Sequence, residues 1–398
     1  MTSASELINT INATADSPPE LSNEERSALI AACEKLKTKL ESPMEMVLRT
    51  LLAPLQSVML RLATDMKLFD TAAELSSDGK KFNLDDLVSK LPGVDKLLLL
   101  RLMRFLVAIK VFDEVAKETY STTPLAAACV SDSIFAHAII HMTSQNETVC
   151  KLPAYFEEKG YKNPGDAYNG PFQYALHTNK GCFDWLATQP RLQKSFNICM
   201  GVTRTITGEQ WFEYLPITSK LAGKPESEPL VVDVGGGIGH DLIALQKQVP
   251  SLTGRLIVQD IPAVIDDIKD LPTGVEAMRH DFFQAQPVEN AAAYYLSNVL
   301  HDWPDKQALQ ILGHIRDAMG EDSILFIHEN TLPEERVNAF SACTDWFMMA
   351  MFSSLDRTEQ QFRTLLDEAG LELVHSWEPK AAAHGDGRRL LEAVLKRA

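Results

Sequence analysis

A glycine cluster that directly follows a short apolar run constrains the fold more than any other feature of this chain. Residues 230–234 are apolar except for Asp233, and glycines occupy positions 235–237 and 239. Short apolar runs are typical of strands that are buried on both faces of a parallel sheet. Glycines at the carboxyl end of such a strand allow a sharp turn and bring backbone N–H groups close to a ligand. The segment therefore predicts an α/β domain with a ligand site at this turn.

The acid in this run distinguishes between two kinds of ligand. His240 stands where a dinucleotide-binding turn that begins at Gly235 and Gly237 would have its third glycine. Asp233 would repel a pyrophosphate, whereas it would hold an ammonium group, because a buried carboxylate needs a donor or a cation. An ordinary glycine-rich turn of another α/β protein is the alternative. The segment resembles motif I of the class I S-adenosylmethionine (SAM) methyltransferases, in which this acid serves the methionyl end of the cofactor.

Length and composition narrow the class of protein. The chain has 398 residues, which is enough for two domains. Its net charge of −16 argues against a nucleic-acid surface, which needs clustered Lys and Arg. The six cysteines form no C-x-x-C pair, so we expect neither a metal site nor a disulfide framework. Without a signal-peptide pattern or an apolar run of about 20 residues, we expect a cytoplasmic protein with no membrane partner.

The first part of the chain is predicted to be mainly helical. Apolar residues recur at helical spacing over 44–75, which favours packing against a second subunit, with a buried core helix as the alternative. Two short predicted helices and a β wing over 111–123 then resemble a winged-helix module. DNA binding would suit such a module, but the acidity of the chain argues against it. We therefore expect no DNA binding, and the resemblance to the methyltransferases implies that residues 1–135 form a dimerisation domain.

Residues 136–228 are predicted to form a helical substrate wall and linker. The segment is rich in large aromatic side chains, which mostly fill cores but can also enclose an aromatic substrate. His141 and Arg204 are its polar exceptions, and we take both as candidates for substrate contact.

From residue 229 the chain alternates strands and helices, which predicts a Rossmann-like domain over 229–398. Ligands in such sheets bind outside the carboxyl ends of the strands. Asp260, after the second strand, can accept hydrogen bonds from both hydroxyls of a ribose, which would suit NAD as well as SAM. Asp281, after the third strand, can hold an adenine amino group while Phe282 stacks on the base. The predicted strands are 231–234, 255–259, 274–278, 294–299, 323–328, 371–377 and 390–395.

The fourth and fifth predicted strands supply a candidate base. His301 follows the fourth strand, and Glu329 follows the fifth. A helix start explains Pro304 and the acids near it, but it does not explain His301. The carboxyl ends of both strands face the same cleft, so Glu329 could reach His301 and fix its tautomer. The other imidazole nitrogen would then be free to act as a base.

Over nearly its whole length the chain resembles the caffeic-acid-type O-methyltransferases of plants and fungi. This resemblance implies a homodimer, SAM as the cofactor and His301 as the general base, assisted by Glu329 and Asp356. It also implies substrate contacts from Asp302 and Met348. The chain departs from the family at Ser297, where many relatives have a lysine that contacts the cofactor, and at Asp356, where they usually have glutamate. The runs that carry the resemblance are residues 233–237, 260–262, 301–303, 345–349 and 356–362.

The predicted reaction is methyl transfer from SAM to a hydroxyl of a small aromatic or polyketide-type secondary metabolite. The alternative is a SAM-bound dehydratase or pericyclase on the same fold, in which His141, Arg204 and His301 activate a carbonyl. Residues 183–190 resemble that fungal branch. The histidine at position 301 is often replaced in that branch, so its retention favours methyl transfer. A regulator that binds SAM or DNA without catalysis is disfavoured by the presence of the base and both acids.

Overall fold

The chain divides into two units after Thr123. The structure, a computed structural model, describes residues 3–206, 209–221, 224–379 and 387–397, without the side chains of residues 78 and 202–206. The units are Met1–Thr123 and Pro124–Ala398. Residues 136–228, which we expected to form a separate region, belong to the second unit together with the predicted cofactor domain.

The first unit is helical and carries a small antiparallel sheet. Serine side chains at positions 3, 22 and 42 cap the first three helices, each in a capping box with a glutamate. Pro54 has no N–H to donate, so the predicted helical run over 44–75 is divided there. The predicted wing forms as two strands of a sheet in the order β1-β3-β2. The elements are α1 Ala4–Asp16, α2 Asn23–Leu40, α3 Pro43–Leu52, α4 Pro54–Asp65, α5 Leu68–Leu75, β1 Phe82–Asn83, α6 Leu84–Lys90, α7 Lys96–Ala108, β2 Phe112–Ala116 and β3 Thr119–Thr122.

The N-terminal helices expose much apolar surface. No residue of α1, α2 or α3 is buried, and Leu51 and Leu52 are 70% and 57% exposed. Exposed apolar surface of this extent usually marks an interaction site. Contrary to our expectation, Pro43–Asp65 is also long and apolar enough to cross a membrane, judged by length and composition alone. A single helix of this kind is weak evidence for a membrane span.

The second unit begins with a helical segment, which is followed in the chain by a largely parallel sheet. In the described residues its sheet has the order β6-β5-β4-β7-β8-β10-β9, in which β10 runs opposite to the other six strands. The seven predicted strands all form. Their bounds are β4 Pro229–Val234, β5 Arg255–Asp260, β6 Val275–Arg279, β7 Ala293–Ser297, β8 Ile324–Asn330, β9 Leu371–Trp377 and β10 Arg388–Leu395.

Helices cover both faces of this sheet. Val232, Tyr294 and Ile327 belong to one buried cluster, whereas Val231 and Tyr295 belong to another on the opposite face. The strand order reverses at β4, which has β5 on one side and β7 on the other, and ligands bind at such a switch point. The helices of this unit are α8 Pro124–Ala128, α9 Ile134–Ser144, α10 Asn146–Lys159, α11 Pro171–Leu176, α12 Cys182–Leu186, α13 Pro190–Ile206, α14 Ile217–Leu221, α15 His240–Gln248, α16 Pro262–Ile265, α17 Asp305–Ala318, α18 Ala339–Phe352 and α19 Glu359–Glu368.

Candidate active site

The turn after β4 requires glycine for two physical reasons. Gly235 has a φ of 76°, in the left-handed region that side chains disfavour. A Cβ added at Gly236 would lie 2.4 Å from the Asp233 carboxyl group, and one added at Gly235 would lie 2.9 Å from Val299 Cγ2. The N–H groups of Gly235 and Gly236 both donate to the carbonyl of Gln259, which folds the turn back onto β5. The turn therefore packs closely against the acid of β4 and against the chain that follows β7.

The predicted cofactor residues converge on this turn. Asp233 is 1% exposed. Asp260 accepts a hydrogen bond of 2.8 Å from the N–H of Gly237. The Phe282 ring lies 3.6 Å from the position of a Cβ at Gly235, and Asp281 accepts from the backbone of the same loop. A buried acid, a ribose-type acid and an aromatic ring thus surround one glycine turn, which fits the ammonium, ribose and adenine groups of SAM.

Ser297, the predicted cofactor residue on β7, contacts an arginine that no sequence motif indicated. Its hydroxyl accepts from Arg388 Nη2 at 3.2 Å, and Arg388 Nε donates to His328 Nε2 at 3.1 Å. The remaining ring nitrogen of His328 lies 2.9 Å from the Tyr295 hydroxyl. Burial, and then the charge of Arg388, hold the pKa of His328 well below its usual range. Arg388 thus places a guanidinium beside Ser297.

His301 lies on a single turn of 3-10 helix, Leu300–Asp302, between β7 and α17. Its Nδ1 is 3.8 Å from Asp356 Oδ1, and its Nε2 is 3.7 Å from Asp302 Oδ1. Burial alone would lower the pKa of His301, but the carboxylates of Asp302, Asp356 and Glu329 outweigh burial and raise that pKa to about 9. In the free protein at neutral pH the imidazole is therefore mostly protonated.

Asp302 has an altered acidity of its own. Burial opposes its charge more strongly than His301 favours it, which raises the pKa of Asp302 to about 6. The thiol of Cys182, at the start of α12, lies near enough for Asp302 to act on it: burial and then this charge raise the pKa of Cys182 to about 12. No sequence motif indicates Cys182, because its proximity to Asp302 depends on how α12 packs.

Glu329 binds the turn that carries His301. Its Oε1 accepts from the N–H groups of Val299 and Leu300 at 2.9 and 2.6 Å. Its Oε2 is buried and has no hydrogen-bond partner among the described residues. The hydrogen bonds of Glu329 therefore go to the backbone before His301, and its influence on the imidazole is electrostatic. These backbone bonds also explain why β7 ends at Ser297, two residues before its predicted end at 299.

Asp356 is buried at 4% exposure and is held from α18. Its N–H donates to Asp345 Oδ1 at 2.9 Å, and its Oδ2 accepts from the Thr344 hydroxyl at 3.3 Å. α18 also packs against the turn that contains His301. The helix that carries Met348, a predicted substrate residue, therefore lies beside the candidate base.

Two further predicted substrate residues, His141 and Arg204, lie in the helical segment before the sheet. His141 Nε2 is 3.4 Å from Gln145 Nε2, and its ring packs edge-on against Phe196. Burial lowers the pKa of His141, so at neutral pH this histidine is uncharged, whereas His301 is protonated. The side chain of Arg204 lies outside the described residues. Substrate contact by either residue stays a prediction.

The doubly wound sheet, the glycine turn and the acids around it define a class I SAM-dependent methyltransferase. Residues 163–372 match the O-methyltransferase domain, and residues 48–132 match the O-methyltransferase dimerisation domain. The chain belongs to this O-methyltransferase family, which uses SAM. Its dimerisation domain supports a homodimer and agrees with the exposed apolar surface of the N-terminal helices.

Two fungal relatives illustrate the family. O-methyltransferase penC of Penicillium thymicola is 35% identical over 372 residues, which cover 93% of this chain and 91% of that protein. Demethylsterigmatocystin 6-O-methyltransferase of Aspergillus flavus is 31% identical, with 91% of each chain covered. The chain is thus similar along nearly its whole length to methyltransferases of fungal secondary metabolism.

Solved structures with the same fold include a LepI variant in complex with S-adenosylhomocysteine (SAH) and a substrate analogue. Its TM-score is 0.81 at 28% identity, with 99% of this chain and 100% of that chain covered. A structure described as a pericyclic reaction enzyme has a TM-score of 0.79 at 28% identity, with coverage of 98% and 99%. The fold of this chain therefore occurs with bound SAH and also in an enzyme of a different reaction class.

Proposed function

We propose that the protein transfers the methyl group of SAM to a hydroxyl of a small aromatic or polyketide-type secondary metabolite, with His301 as the general base. One observation carries this proposal. The His301 imidazole lies between the carboxylates of Asp302 and Asp356, and the turn that bears it is packed through Val299 against Gly235 of the cofactor turn. A base in this position lies next to the site where the residues fit SAM.

The protein residues have separate roles in this reaction. When bound, SAM supplies an electrophilic methyl group on a sulfonium centre, whose charge also disfavours protonation of a nearby imidazole. Neutral His301 would take the proton of the substrate hydroxyl as the hydroxyl oxygen bonds to the methyl carbon and the methyl–sulfur bond breaks, which leaves SAH. Asp302 and Asp356 then stabilise the imidazolium. Asp233, Asp260 and Phe282 hold the cofactor. Orientation of the two reactants lowers the activation barrier by roughly 7–11 kcal/mol.

The protonation of His301 sets a condition on this mechanism. With a pKa of about 9, His301 is neutral in only about one molecule in a hundred at pH 7. The proposed base therefore gains its active form as the pH rises. Methyl transfer should accelerate up to the pKa that His301 has in the loaded enzyme.

A second candidate function rests on the same protonation state. An imidazolium at neutral pH can polarise a substrate carbonyl, as a SAM-bound pericyclase or dehydratase requires. The similarity to a pericyclic reaction enzyme, reported above, supports this alternative. In that case SAM would remain intact as a bound cation and no proton would pass to His301.

We further propose that the enzyme acts as a cytoplasmic homodimer on a small molecule, without a nucleic-acid or membrane partner. The net charge of −16 supports the absence of a nucleic-acid surface. The match of residues 48–132 to the dimerisation domain supports a second subunit, rather than a lipid bilayer, as the cover for the apolar face of α3 and α4.

Incubation with methyl-labelled SAM and a panel of phenols, enols and hydroxypyridones tests the main proposal. Label in the product together with released SAH supports methyl transfer. Substrate that is isomerised or dehydrated while the label stays in SAM supports the alternative and refutes the transferase assignment for this chain.

The variant His301→Ala tests the role of the base. We expect turnover to fall by about 10²–10⁴-fold, while SAH binding in calorimetry stays within a few-fold of the wild type. His375→Ala, at an exposed histidine of β9, is the matched control and should change neither. A parallel collapse of SAH affinity in His301→Ala would show that the histidine is structural.

A further inference from the structure

A buried arginine holds the turn that carries the candidate base. Arg357 directly follows Asp356 in the chain and is 1% exposed. Its Nη1 donates to the carbonyl of Leu300 at 2.8 Å, and its Nη2 donates to the carbonyl of Trp303 at 2.9 Å. The guanidinium also pairs with Asp305 Oδ1, from Nη2 at 2.7 Å and from Nε at 3.1 Å. One side chain thus binds both ends of the turn and the first residue of α17.

Burial of the Arg357 charge costs free energy. A buried guanidinium loses its hydration, and hydrophobic residues of similar volume often stabilise a core as well or better. Its carboxylate partner, Asp305, keeps 63% of its side chain exposed, so this ion pair is partly screened by solvent. The other bonds of Arg357 go to backbone carbonyls on either side of His301. An arginine is suited to this task because its planar fork fixes several acceptors in one geometry.

The turn is therefore held from two sides. Glu329 accepts from the N–H groups that precede His301, and Arg357 donates to the carbonyls that flank it. Arg357 is itself tied to the segment after β8, because its carbonyl accepts from the N–H of Leu332 at 3.0 Å. Since Arg357 is the neighbour of Asp356, the guanidinium links the backbone of the carboxylate to the backbone of the imidazole.

We infer that Arg357 is a positioning residue, which sets the distance between the His301 imidazole and the Asp356 carboxylate. The inference rests on the proposed function of His301, although its structural content does not require methyl transfer. Without the guanidinium, the carbonyls of Leu300 and Trp303 lose their donor and the turn can move away from Asp356. His301 then loses part of the electrostatic support that keeps it protonated.

Two substitutions of different severity test this inference. Arg357→Lys keeps the charge but loses the fork, and Arg357→Met removes both. We expect the high-pH plateau of kcat to fall about 10-fold in the lysine variant and about 100-fold in the methionine variant, with the KM for SAM changed less than about 3-fold. The acidic limb of the kcat–pH profile should move to lower pH in the lysine variant, which keeps the positive charge, because a less supported imidazolium releases its proton more readily.

A titration that does not depend on turnover separates this inference from the proposed function. NMR titration of the His301 ring in the free protein should show its midpoint displaced to lower pH in Arg357→Lys, in which the positive charge is kept. This result can be obtained even if methyl transfer is never observed. An unchanged midpoint and an unchanged pH limb, with only a lower melting temperature, would reduce Arg357 to a structural residue and overturn the inference.

The chain offers a matched control and a milder variant. Arg363 on α19 also bonds one carbonyl, that of Leu373, and one carboxylate, that of Glu359, but it does not contact the turn. Arg363→Met should therefore leave the His301 titration unchanged. If Arg357→Met does not fold, Arg357→Lys carries the test by itself. A displacement of the His301 midpoint to lower pH in Arg357→Lys would support the inference, and no displacement would oppose it.

Discussion

Replacing Asp356 with asparagine should lower the pKa of His301. The substitution keeps the size of the side chain and removes a charge 3.8 Å from His301 Nδ1. An opposite charge at this distance changes a pKa by roughly 1–3. Because Asp302 and Glu329 remain and the imidazole is 26% exposed, we expect an effect toward the lower end of that range. The direction is fixed by sign: the carboxylate stabilises the imidazolium, so its loss favours the neutral ring.

The assay is the pH dependence of kcat with labelled SAM. The proposed base acts in its neutral form, so the rise of kcat with pH should occur at lower pH in Asp356→Asn. The plateau should also fall, by about 10-fold or more, because the imidazolium formed in the reaction loses a stabilising charge. Asp356→Glu, which keeps the carboxylate, should keep the rise near its wild-type position. A rise that stays in place or moves to higher pH in Asp356→Asn would refute this electrostatic account of the site.

The remaining predictions concern the cofactor turn, the dimer and pH-dependent stability. Gly236→Ala should weaken SAH binding in calorimetry at least 10-fold, because its Cβ would lie 2.4 Å from a buried carboxyl group. The control Gly313→Ala, where no atom lies within 4 Å of the added Cβ, should bind SAH normally and gain about 0.5–1 kcal/mol of stability in the helix. Leu51→Lys combined with Leu55→Lys should shift the protein from dimer to monomer in sedimentation at micromolar concentration; an unchanged dimer would place the interface elsewhere. Because the pKa of His301 is raised to about 9 in the folded state, its contribution to stability is complete below its unfolded pKa near 6.5 and is lost as pH rises through 9. The difference in denaturation midpoint between wild type and His301→Gln should therefore shrink over that range.

Much of the sheet could be predicted because its signals are local. The central strands β4 and β7 are short, mostly apolar runs, and the glycines at 235–237 fix where β4 ends and a ligand can approach. The rule that ligands lie outside the carboxyl ends of parallel strands then selected Asp260 and His301 without a structure. Those two steps need only residues that are close together in the chain, together with one general rule of α/β folds.

The parts that could not be predicted depend on contacts between distant segments. Arg388 reaches Ser297 because β10 inserts between β8 and β9, an order that no local pattern encodes. Arg357 reaches the turn after β7 across more than fifty residues of sequence. For Glu329 the position was predicted, but its bonds go to two backbone N–H groups, and the residue type alone does not indicate which donor a carboxylate will find.

The protonation of His301 also separates the two candidate functions more sharply than the fold does. Both need a histidine near the cofactor site, and both occur on this fold. Methyl transfer requires the neutral imidazole, so its rate rises with pH through the pKa of His301. Activation of a carbonyl requires the imidazolium, so its rate falls through the same pKa. Three carboxylates raise that pKa to about 9 in the free protein and bound SAM lowers it, so the two hypotheses predict opposite slopes over the pH interval around the pKa of the loaded enzyme. A rate that declines over this interval, with label retained in SAM, would assign the chain to the pericyclase-like branch despite its intact histidine.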